Sequence, residues 1–559
     1  MRLATEGVRR TYEPVHGGFS QRTKFANPAR LELLIAAERR TPDAERRRML
    51  TQTLDEMALG GIHDQVGGGF HRYSTEPTWS VPHFEKMLYD NAQLLSVYGE
   101  AHALTGSPLY RWVIERTAGY LLREMRVAGG AFASAQDAEV GGEEGASYVW
   151  SRAEISRALG EKRAAAFFSL YELVNMHPGA GVLRVKLEAL EPPSKDAGDE
   201  IAARLRGFDP DLAKLLAIRD RRPQPLRDDK VLAGWNGLAI RGLVAAASAL
   251  NRSELIEAAE RAASFVLGRL VASDGSLRRS YIAGQAREAG VLDDYAYLAD
   301  GLLALHRATG APVWQRRART LADTMLARFE DKAVGGFFLT PADTELLVRS
   351  KPFEDNVRPS GNGVALRVLR ALQSETGGAR YADAADAAFA AHGPWIERAP
   401  FAVGTVVAGL IDRADSVPPL ARAAAKSRVT PQELPRSEDH VRVQLARRGG
   451  AAPRLVATLF IDPGWHVNAN PASFEYLVPT TLELVEGGPL TDVLYPPGQR
   501  FEPEFSRGES LSVYAGKVEI SAALPDEAAS RLEARLRFQA CDEQRCLPPG
   551  EARIEVASP

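Results

Sequence analysis

The sequence predicts a mainly α-helical (α/α)6 barrel, a ring of helical hairpins, followed by a small all-β sandwich. Three observations carry that expectation. From about residue 28 to residue 412, apolar residues recur at three- and four-residue spacing, as in Ala92 to Leu104, Leu238 to Leu250 and Tyr295 to Leu305. Between the helical stretches a glycine turn followed by an apolar residue recurs. It appears at Gly17-Gly18-Phe19, Gly68-Gly69-Phe70, Gly129-Gly130-Ala131-Phe132, Gly179 to Leu183, Gly275-Ser276-Leu277 and Gly335-Gly336-Phe337. Such recurrence marks repeated hairpins; six of them closing on themselves give the barrel, and an open bundle of the same hairpins is the competing arrangement. The third observation is a change of period. Val417-Pro418-Pro419, Pro431 and Pro435 mark a linker. After it, apolar and polar residues alternate at Val441, Val443 and Leu445, at Leu532 to Ala540, and at Ala552, Ile554 and Val556. The expected boundaries are 1–412 for the barrel, 413–438 for the linker and 439–559 for the sandwich.

Composition narrows the function classes. A chain of 559 residues is too long for one ordinary core. A net charge of -3, from 69 basic and 72 acidic residues, gives no electrostatic reason to expect nucleic acid or an anionic membrane as partner. No apolar run reaches the ~18 residues a membrane helix needs, and the first residues carry no apolar signal-peptide core. The only two cysteines, Cys541 and Cys546, lie near the C-terminus. A chain of this size does not need one disulfide for stability, which leaves the pair free for other chemistry.

The densest chemistry stands in the connector GGIHDQVGGGFHRYSTEPTWSVPHFEKMLYDNAQL, residues 60 to 94. Gly67, Gly68 and Gly69 permit backbone angles that other residues resist. His63, His71, His83, Glu85 and Asp90 supply groups that move protons or bind polar ligands. A zinc site is disfavoured, because the histidine spacings match no compact ligand motif. No cofactor is expected.

Residues 16 to 412 resemble the YyaL family, also called the spermatogenesis-associated protein 20 family. Its barrel belongs with the N-acylglucosamine 2-epimerase-like six-hairpin, glycosidase-like proteins. The motifs are GGGFHRYSTEPTWSVPHFEKMLYDNAQL at 67 to 94, SAQDAEVGGEEGASYVW at 134 to 150, DDKVLAGWNGLAI at 228 to 240, VLDDYAYLADGLLAL at 291 to 305, GGFFLT at 335 to 340 and KPFEDNVRPSGNG at 351 to 363. The family's N-terminal thioredoxin-like domain, with its Cys-x-x-Cys pair, has no counterpart here. Either the start is truncated or the redox partner is a separate protein.

The resemblance brings the scattered motifs to one end of a ring. Asp90-Asn91, Trp235-Asn236-Gly237, Asp293-Asp294-Tyr295 and Ser360-Gly361-Asn362 stand at or before helix starts, where capping is the bland role for Asp, Asn and Ser. Capping does not explain the aromatic company of Phe70, Tyr73, Trp79, Phe84, Tyr89, Trp235 and Tyr295. Aromatic faces beside carboxylates and amides suit a sugar or glycoconjugate. In epimerases and isomerases of the wider superfamily, histidines remove and return a proton next to a sugar carbonyl. That role falls first to His83, then to His63 and His71, while Arg72, Lys86 and Arg358 neutralise developing charge. A histidine bonded to a backbone carbonyl is the structural alternative. The second enzymatic reading is a glycoside hydrolase with paired carboxylates drawn from Glu85, Asp137, Asp229, Asp294 and Asp355. Glu139, Glu143 and Glu144 read as a solvated acidic loop, and Asp228-Asp229-Lys230 as an alternative ion-pair network.

Residues 440 to 557 resemble the immunoglobulin-like N-terminal domain of the thiol:disulfide interchange protein DsbD, through DPGWHVNANP at 462 to 471, LVPT at 477 to 480 and FQACDEQRCLPPGEARI at 538 to 554. The resemblance implies that Cys541 and Cys546 form a local disulfide that exchanges with a thioredoxin-like partner; a permanent structural cystine is the alternative. Phe538, Trp465 and His466 stand where they can shield the pair. The expectation is therefore a carbohydrate-active barrel of epimerase or isomerase type joined to a thiol:disulfide exchange module. A barrel without chemistry, acting as a scaffold for a redox partner, is the non-enzymatic alternative. A periplasmic location follows from the DsbD-like domain, while the lack of a signal peptide leaves the cytoplasm open.

Overall fold

The computed structural model describes residues 1–177, 179–186, 197–272, 276–344, 346, 348–411, 437–449, 453–473, 478–485, 490–501, 510–524, 531–542, 547 and 549–557. The chain divides into two compact units, Met1–Leu420 and Ala421–Pro559. The expected linker lies outside the described residues up to 436.

In the first unit α1 (Arg2–Thr11), α2 (Pro28–Arg40) and α3 (Ala44–Leu59) precede the glycine-rich connector, and α4 (Leu88–Thr105) and α5 (Pro108–Tyr120) follow it. An insertion carries α6 (Arg152–Leu159), α7 (Glu161–Leu170), a β-hairpin of Tyr171–His177 with Ala180–Val185, α8 (Ala197–Arg206) and α9 (Asp209–Arg219). The hairpins then resume with α10 (Ala233–Leu250), α11 (Ser253–Arg269), α12 (Leu292–Thr309), α13 (Pro312–Arg328), α14 (Gly361–Thr376), α15 (Ala379–Arg398) and α16 (Gly404–Ile411).

Among the described residues six helices close an inner ring. α2 packs on α4, α4 on α10, α10 on α12, α12 on α14, α14 on α16, and α16 back on α2. α3, α5, α11, α13 and α15 lie against the inner helix that precedes each of them, and α1 packs on the Pro400–Ala402 turn that leads into α16. The ring is a barrel and not an open bundle. Accordingly α4 is buried without a break from Leu88 to Gly99, enclosed on every side by the ring. Close approach needs small residues at the crossing. A Cβ on Gly237 of α10 would stand 2.5 Å from the backbone of Tyr297 and Leu298, and one on Gly301 of α12 would stand 2.4 Å from the Gly237 carbonyl.

Charges cross the ring at mid-height. Arg241 of α10 reaches Glu32 of α2 at 2.6 Å, Glu100 of α4 at 3.1 Å and Asp300 of α12 at 3.6 Å. Arg367 of α14 reaches the same Asp300 at 2.7 Å and Glu32 at 3.3 Å. Five of the six inner helices are thus tied through two guanidiniums. Burial disfavours the charged carboxyls of Glu32 and Asp300, but the two arginines outweigh it and hold both below the usual carboxylate range.

The loops at the N-terminal ends of the inner helices are held by two recurring devices. In the first, an acid four residues before a glycine pair accepts the next backbone amides, and a lysine bridges it to the glycine carbonyl. Asp64 accepts from Val66 and Gly67 at 3.0 and 2.9 Å, and Lys86 donates to Asp64 at 2.8 Å and to the Gly68 carbonyl at 3.0 Å. Glu13, Gly17 and Lys24 repeat the arrangement, as do Asp331, Gly335 and Lys351. In the second, an asparagine in the first turn of an inner helix clasps both backbone groups of the residue that ends the glycine turn. Asn91 clasps Phe70, Asn236 clasps Phe132 and Asn362 clasps Phe337, each through donor and acceptor distances of 2.7 to 3.0 Å. At α12 the Tyr295 hydroxyl does the same work, accepting from Leu277 N–H at 2.8 Å.

These devices correct several sequence-based assignments. Lys86 is fully buried on Asp64 and does not face substrate, and Asn236, Asn362 and Tyr295 are committed to backbone. Phe70 is enclosed, stacked on Tyr98 at 5.5 Å. Trp79 is enclosed as well and donates from its indole to the His16 carbonyl at 2.9 Å. His63 packs between Phe70 and Trp112. His71 bonds the Phe84 carbonyl at 2.9 Å and lies edge-on to Phe84 and Tyr148. Burial, aided by Arg116 near His63 and Lys86 near His71, pushes both imidazoles down to about 3. They are neutral wall residues, not bases poised near neutrality.

The second unit is antiparallel throughout. One sheet runs Val441–Arg448, Arg454–Ile461, Lys517–Ala523, Thr491–Leu494; a second runs Gln499–Phe501, Leu511–Tyr514, His466–Asn468, Ala540–Cys541. A third joins Thr481–Leu484, Arg531–Phe538 and Gly550–Ala557. The expected alternation holds: Ala534, Leu536, Phe538 and Ala540 turn inward on a core with Leu455, Leu459 and Ile520.

Two predictions follow from the wall. Asn236→Ala strands the buried N–H and carbonyl of Phe132, so the helical unit should lose about 2–4 kcal/mol in denaturant unfolding. His71 has a folded pKa below its ordinary one, so between about 3 and 6.5 the unfolded chain binds a proton that the folded chain refuses. Its contribution to stability is full above 6.5 and is lost as pH falls. Between pH 7 and pH 4.5 wild type should therefore lose about 2–3 kcal/mol more than His71→Phe, read from unfolding midpoints at the two pH values.

Candidate functional site

The mouth of the ring is built by the connector, the first turns of α4, α10 and α12, and the loop before α14. A small antiparallel sheet of Lys24–Phe25, Tyr73–Ser74 and Pro82–His83 sets Tyr73 directly opposite His83, with the rings stacked at 4.9 Å. The His83 imidazole is held on both sides by acid. Its Nδ1 lies 2.6 Å from Glu144 Oε1 and its Nε2 lies 3.8 Å from Glu85 Oε2. Glu85 in turn takes the Arg72 guanidinium at 2.8 Å, and the Arg72 backbone N–H donates to the Glu85 carbonyl at 2.9 Å.

Arg72 also meets the Tyr89 hydroxyl, and the Tyr89 ring lies edge-on to Trp235 at 4.8 Å. Burial pushes the Tyr89 hydroxyl up to about 12. Beside it Asp90 is 5% exposed, and its Oδ2 finds no hydrogen-bond partner. Burial raises its carboxyl well above the ordinary range; Arg72 opposes that and Glu85 adds to it. Burial in this setting disfavours the charged carboxylate and favours the form that holds its proton.

The loop before α14 reaches across the mouth. Gln93 of α4 donates to the Val357 carbonyl at 3.0 Å, although α4 and α14 are not neighbours in the ring. The next residue, Arg358, faces Asp293 of α12 at 3.5 Å, and the Tyr297 hydroxyl donates to the Pro359 carbonyl. Burial raises the Asp293 carboxyl, against the pull of Arg358 and Arg279. Two clusters therefore share one mouth: His83, Glu85, Glu144, Arg72, Tyr89, Asp90 and Trp235 on one side, Asp293 and Arg358 on the other.

Four expected carboxylates stand outside this group. Asp294 accepts from Val291 N–H at 3.0 Å and Gly234 N–H at 3.2 Å, capping α12 and fastening it to α10; burial raises it to about 6. Asp355 accepts from Ser360 N–H at 2.8 Å and Thr405 N–H at 2.9 Å, joining the loop to α16, and burial raises it too to about 6. Asp229 is exposed and paired with Arg227 at 2.5 Å. Asp137 is exposed, with Oδ1 taking the Ala138 N–H at 2.7 Å. Glu144, expected to be merely solvated, is instead the partner of His83. The sequence offered a faint signal, a glycine-flanked turn between Glu139–Val140 and Glu143–Glu144.

In the second unit Cys541 is 1% exposed and disulfide-bonded, directly across the sheet from His466. Cys546 lies outside the described residues. Trp465 stacks on His440 at 3.8 Å.

Spermatogenesis-associated protein 20 of Rattus norvegicus is 34% identical over 441 residues, 71% of this chain and 56% of its own length. The chain thus spans little more than half the length of the curated relatives it matches. Residues 432–558 match the family model described as thiol:disulfide interchange protein DsbD, N-terminal. Among solved structures, a D-mannose isomerase aligns with a TM-score of 0.47 and 13% identity over 70% of this chain and 83% of its own. The reduced N-terminal domain of DsbD from Neisseria meningitidis aligns with a TM-score of 0.18 and 16% identity over 22% of this chain and 90% of its own. Over 71% of its length the chain is homologous to spermatogenesis-associated protein 20, and residues 432–558 match the DsbD N-terminal family model.

Proposed function

We propose that the helical unit binds a sugar or glycoconjugate at the mouth of its ring and moves a proton next to the sugar carbonyl, as an epimerase or isomerase does. The observation that carries this reading is His83, fixed between Glu144 and Glu85 beside an arginine and an aromatic pair. The Nδ1–Glu144 bond orients the ring and leaves Nε2 directed to the Glu85 side, the arrangement a general base requires. In this reading His83 takes the C2 proton of the open-chain sugar. The electrons pass to the carbonyl oxygen, and Arg72 or Arg358 neutralises the enediolate. Return of a proton to C2 gives the epimer, and return to C1 gives the ketose. Trp235 offers a face for the sugar's C–H surface, while Tyr73 backs the His83 ring.

Asp90 favours a second reading. A buried carboxyl raised by burial, with the Glu85 carboxyl near it, has the pattern of a glycosidase acid and its partner carboxylate. For the second unit, the disulfide at Cys541 supports exchange with a thioredoxin-like protein, which belongs to an oxidising compartment such as the periplasm. Among the described residues no helix is long and apolar enough to cross a membrane.

The proton-transfer reading predicts deuterium uptake at C2 when the protein is incubated in D2O with aldoses and N-acylhexosamines. His83→Ala should lower the rate by about 10²–10⁴-fold. Cleavage of a disaccharide, lost in Asp90→Asn, would favour the hydrolase, and silence across the panel would favour the scaffold. For the second unit, a Cys541→Ser or Cys546→Ser single variant should trap a mixed disulfide with a thioredoxin-like protein. If neither variant does so, the exchange role fails.

A further inference from the structure

The end of the ring opposite the mouth holds a cavity that the proposed chemistry does not use. It is a cavity of 980 Å³ at the C-terminal ends of the inner helices. That volume is at the upper end of the ~300–1,000 Å³ usual for small-molecule sites. Five arginines line it: Arg39, Arg241, Arg252, Arg307 and Arg367. Two carboxylates do, Glu100 and Asp300, and Glu32 meets both Arg241 and Arg367. The rest of the wall is small where it matters, with Ala245, Ala304 and Gly409 leaving the room.

The arginines fall into two layers. Arg241 and Arg367 form the floor; their side chains are 19% and 12% exposed, and they are fixed by the mid-ring network. Arg39, Arg252 and Arg307 stand on the rim at 38%, 44% and 47% exposure, paired with Glu100, Glu254 and Glu375. Exposed pairs of that kind are weak, so a rim guanidinium turns from its carboxylate to a ligand at little cost. Glu254 and Glu375 are not part of the cavity wall, and Asp300 is already met by both floor arginines. Arginine's planar fork matches the geometry of carboxylate and phosphate oxygens. A plainer role exists for Arg39 and Arg307, since each lies in the last turn of its helix and offsets the negative end of the dipole. That role accounts for neither Arg252, which precedes its helix, nor the convergence of all five on one chamber.

We propose that this chamber binds a compact, multiply charged oxyanion, with the rim arginines closing on it from above and Arg241 and Arg367 holding it from below. Being separated from the mouth by the mid-ring network, it is a second site whether or not the mouth acts on sugars.

The test uses the full chain, with inorganic pyrophosphate and citrate as probes at ionic strength matched with sodium chloride. Titration calorimetry and thermal unfolding are read together. At least one probe should bind saturably and raise Tm. Pyrophosphate alone would assign the site to phosphate-bearing ligands, citrate alone to polycarboxylates, and both to charge without further discrimination. Arg39→Gln/Arg307→Gln should weaken binding roughly tenfold or more, as loss of charge-assisted bonds requires. Arg316→Gln, exposed on the outer helix α13, should leave binding unchanged. If the double variant folds poorly, Arg252→Gln alone carries the test, with a smaller loss expected. No saturable binding of either probe, or equal binding by wild type and the rim variants, would overturn the proposal.

Discussion

The ring depends on the charges at its centre. Arg241 and Arg367 draw Glu32, Glu100 and Asp300 inward from helices that otherwise meet through alanine, glycine and leucine. Apolar packing between neighbouring helices sets distances, but it does not choose between a closed ring and an open bundle. A network reaching five inner helices does, because opening the ring would leave buried charge uncompensated, which costs about 3–5 kcal/mol for a broken buried pair. The same network supplies the floor of the cavity at the C-terminal ends of the inner helices.

The mouth is held differently. Its loops are rich in glycine and would cost conformational entropy to order, and the acid–lysine brackets and asparagine clasps supply the compensating hydrogen bonds. Those devices also explain why so many polar and aromatic residues of the connector and the inner-helix starts are unavailable for chemistry. Lys86, Asn236, Asn362, Phe70 and Trp79 are occupied in holding the loops, which leaves His83, Arg72, Glu85 and Trp235 displayed on a rigid frame. A histidine oriented by Glu144 is useful as a base only if its neighbours do not move, and the brackets provide that.

How much of this was legible follows from the range of each signal. Helix positions and the β alternation are local periodicities, and both were readable. The acid-x3-Gly-Gly spacing of Glu13, Asp64 and Asp331 is also local, although its meaning lies in lysines that arrive from later in the chain. Ring closure and the central network join residues hundreds of positions apart, and no window of sequence contains them. The aromatic set shows the same limit in small: Phe70, Trp79 and Tyr295 look like Tyr73 and Trp235 in sequence, and only burial separates the wall from the mouth. Glu144 was misread because an acidic turn is usually solvated, and its partner stands 61 residues away.

The central functional claim is that sugar docks at the His83, Arg72 and Trp235 face. Saturation-transfer difference NMR with neutral hexoses and N-acylhexosamines tests it without requiring turnover. The predicted result is transfer to the sugar C–H protons that disappears in Trp235→Ala and weakens in Arg72→Gln, with the helical circular dichroism unchanged. Absence of transfer from wild type, or equal transfer from the variants, would contradict it.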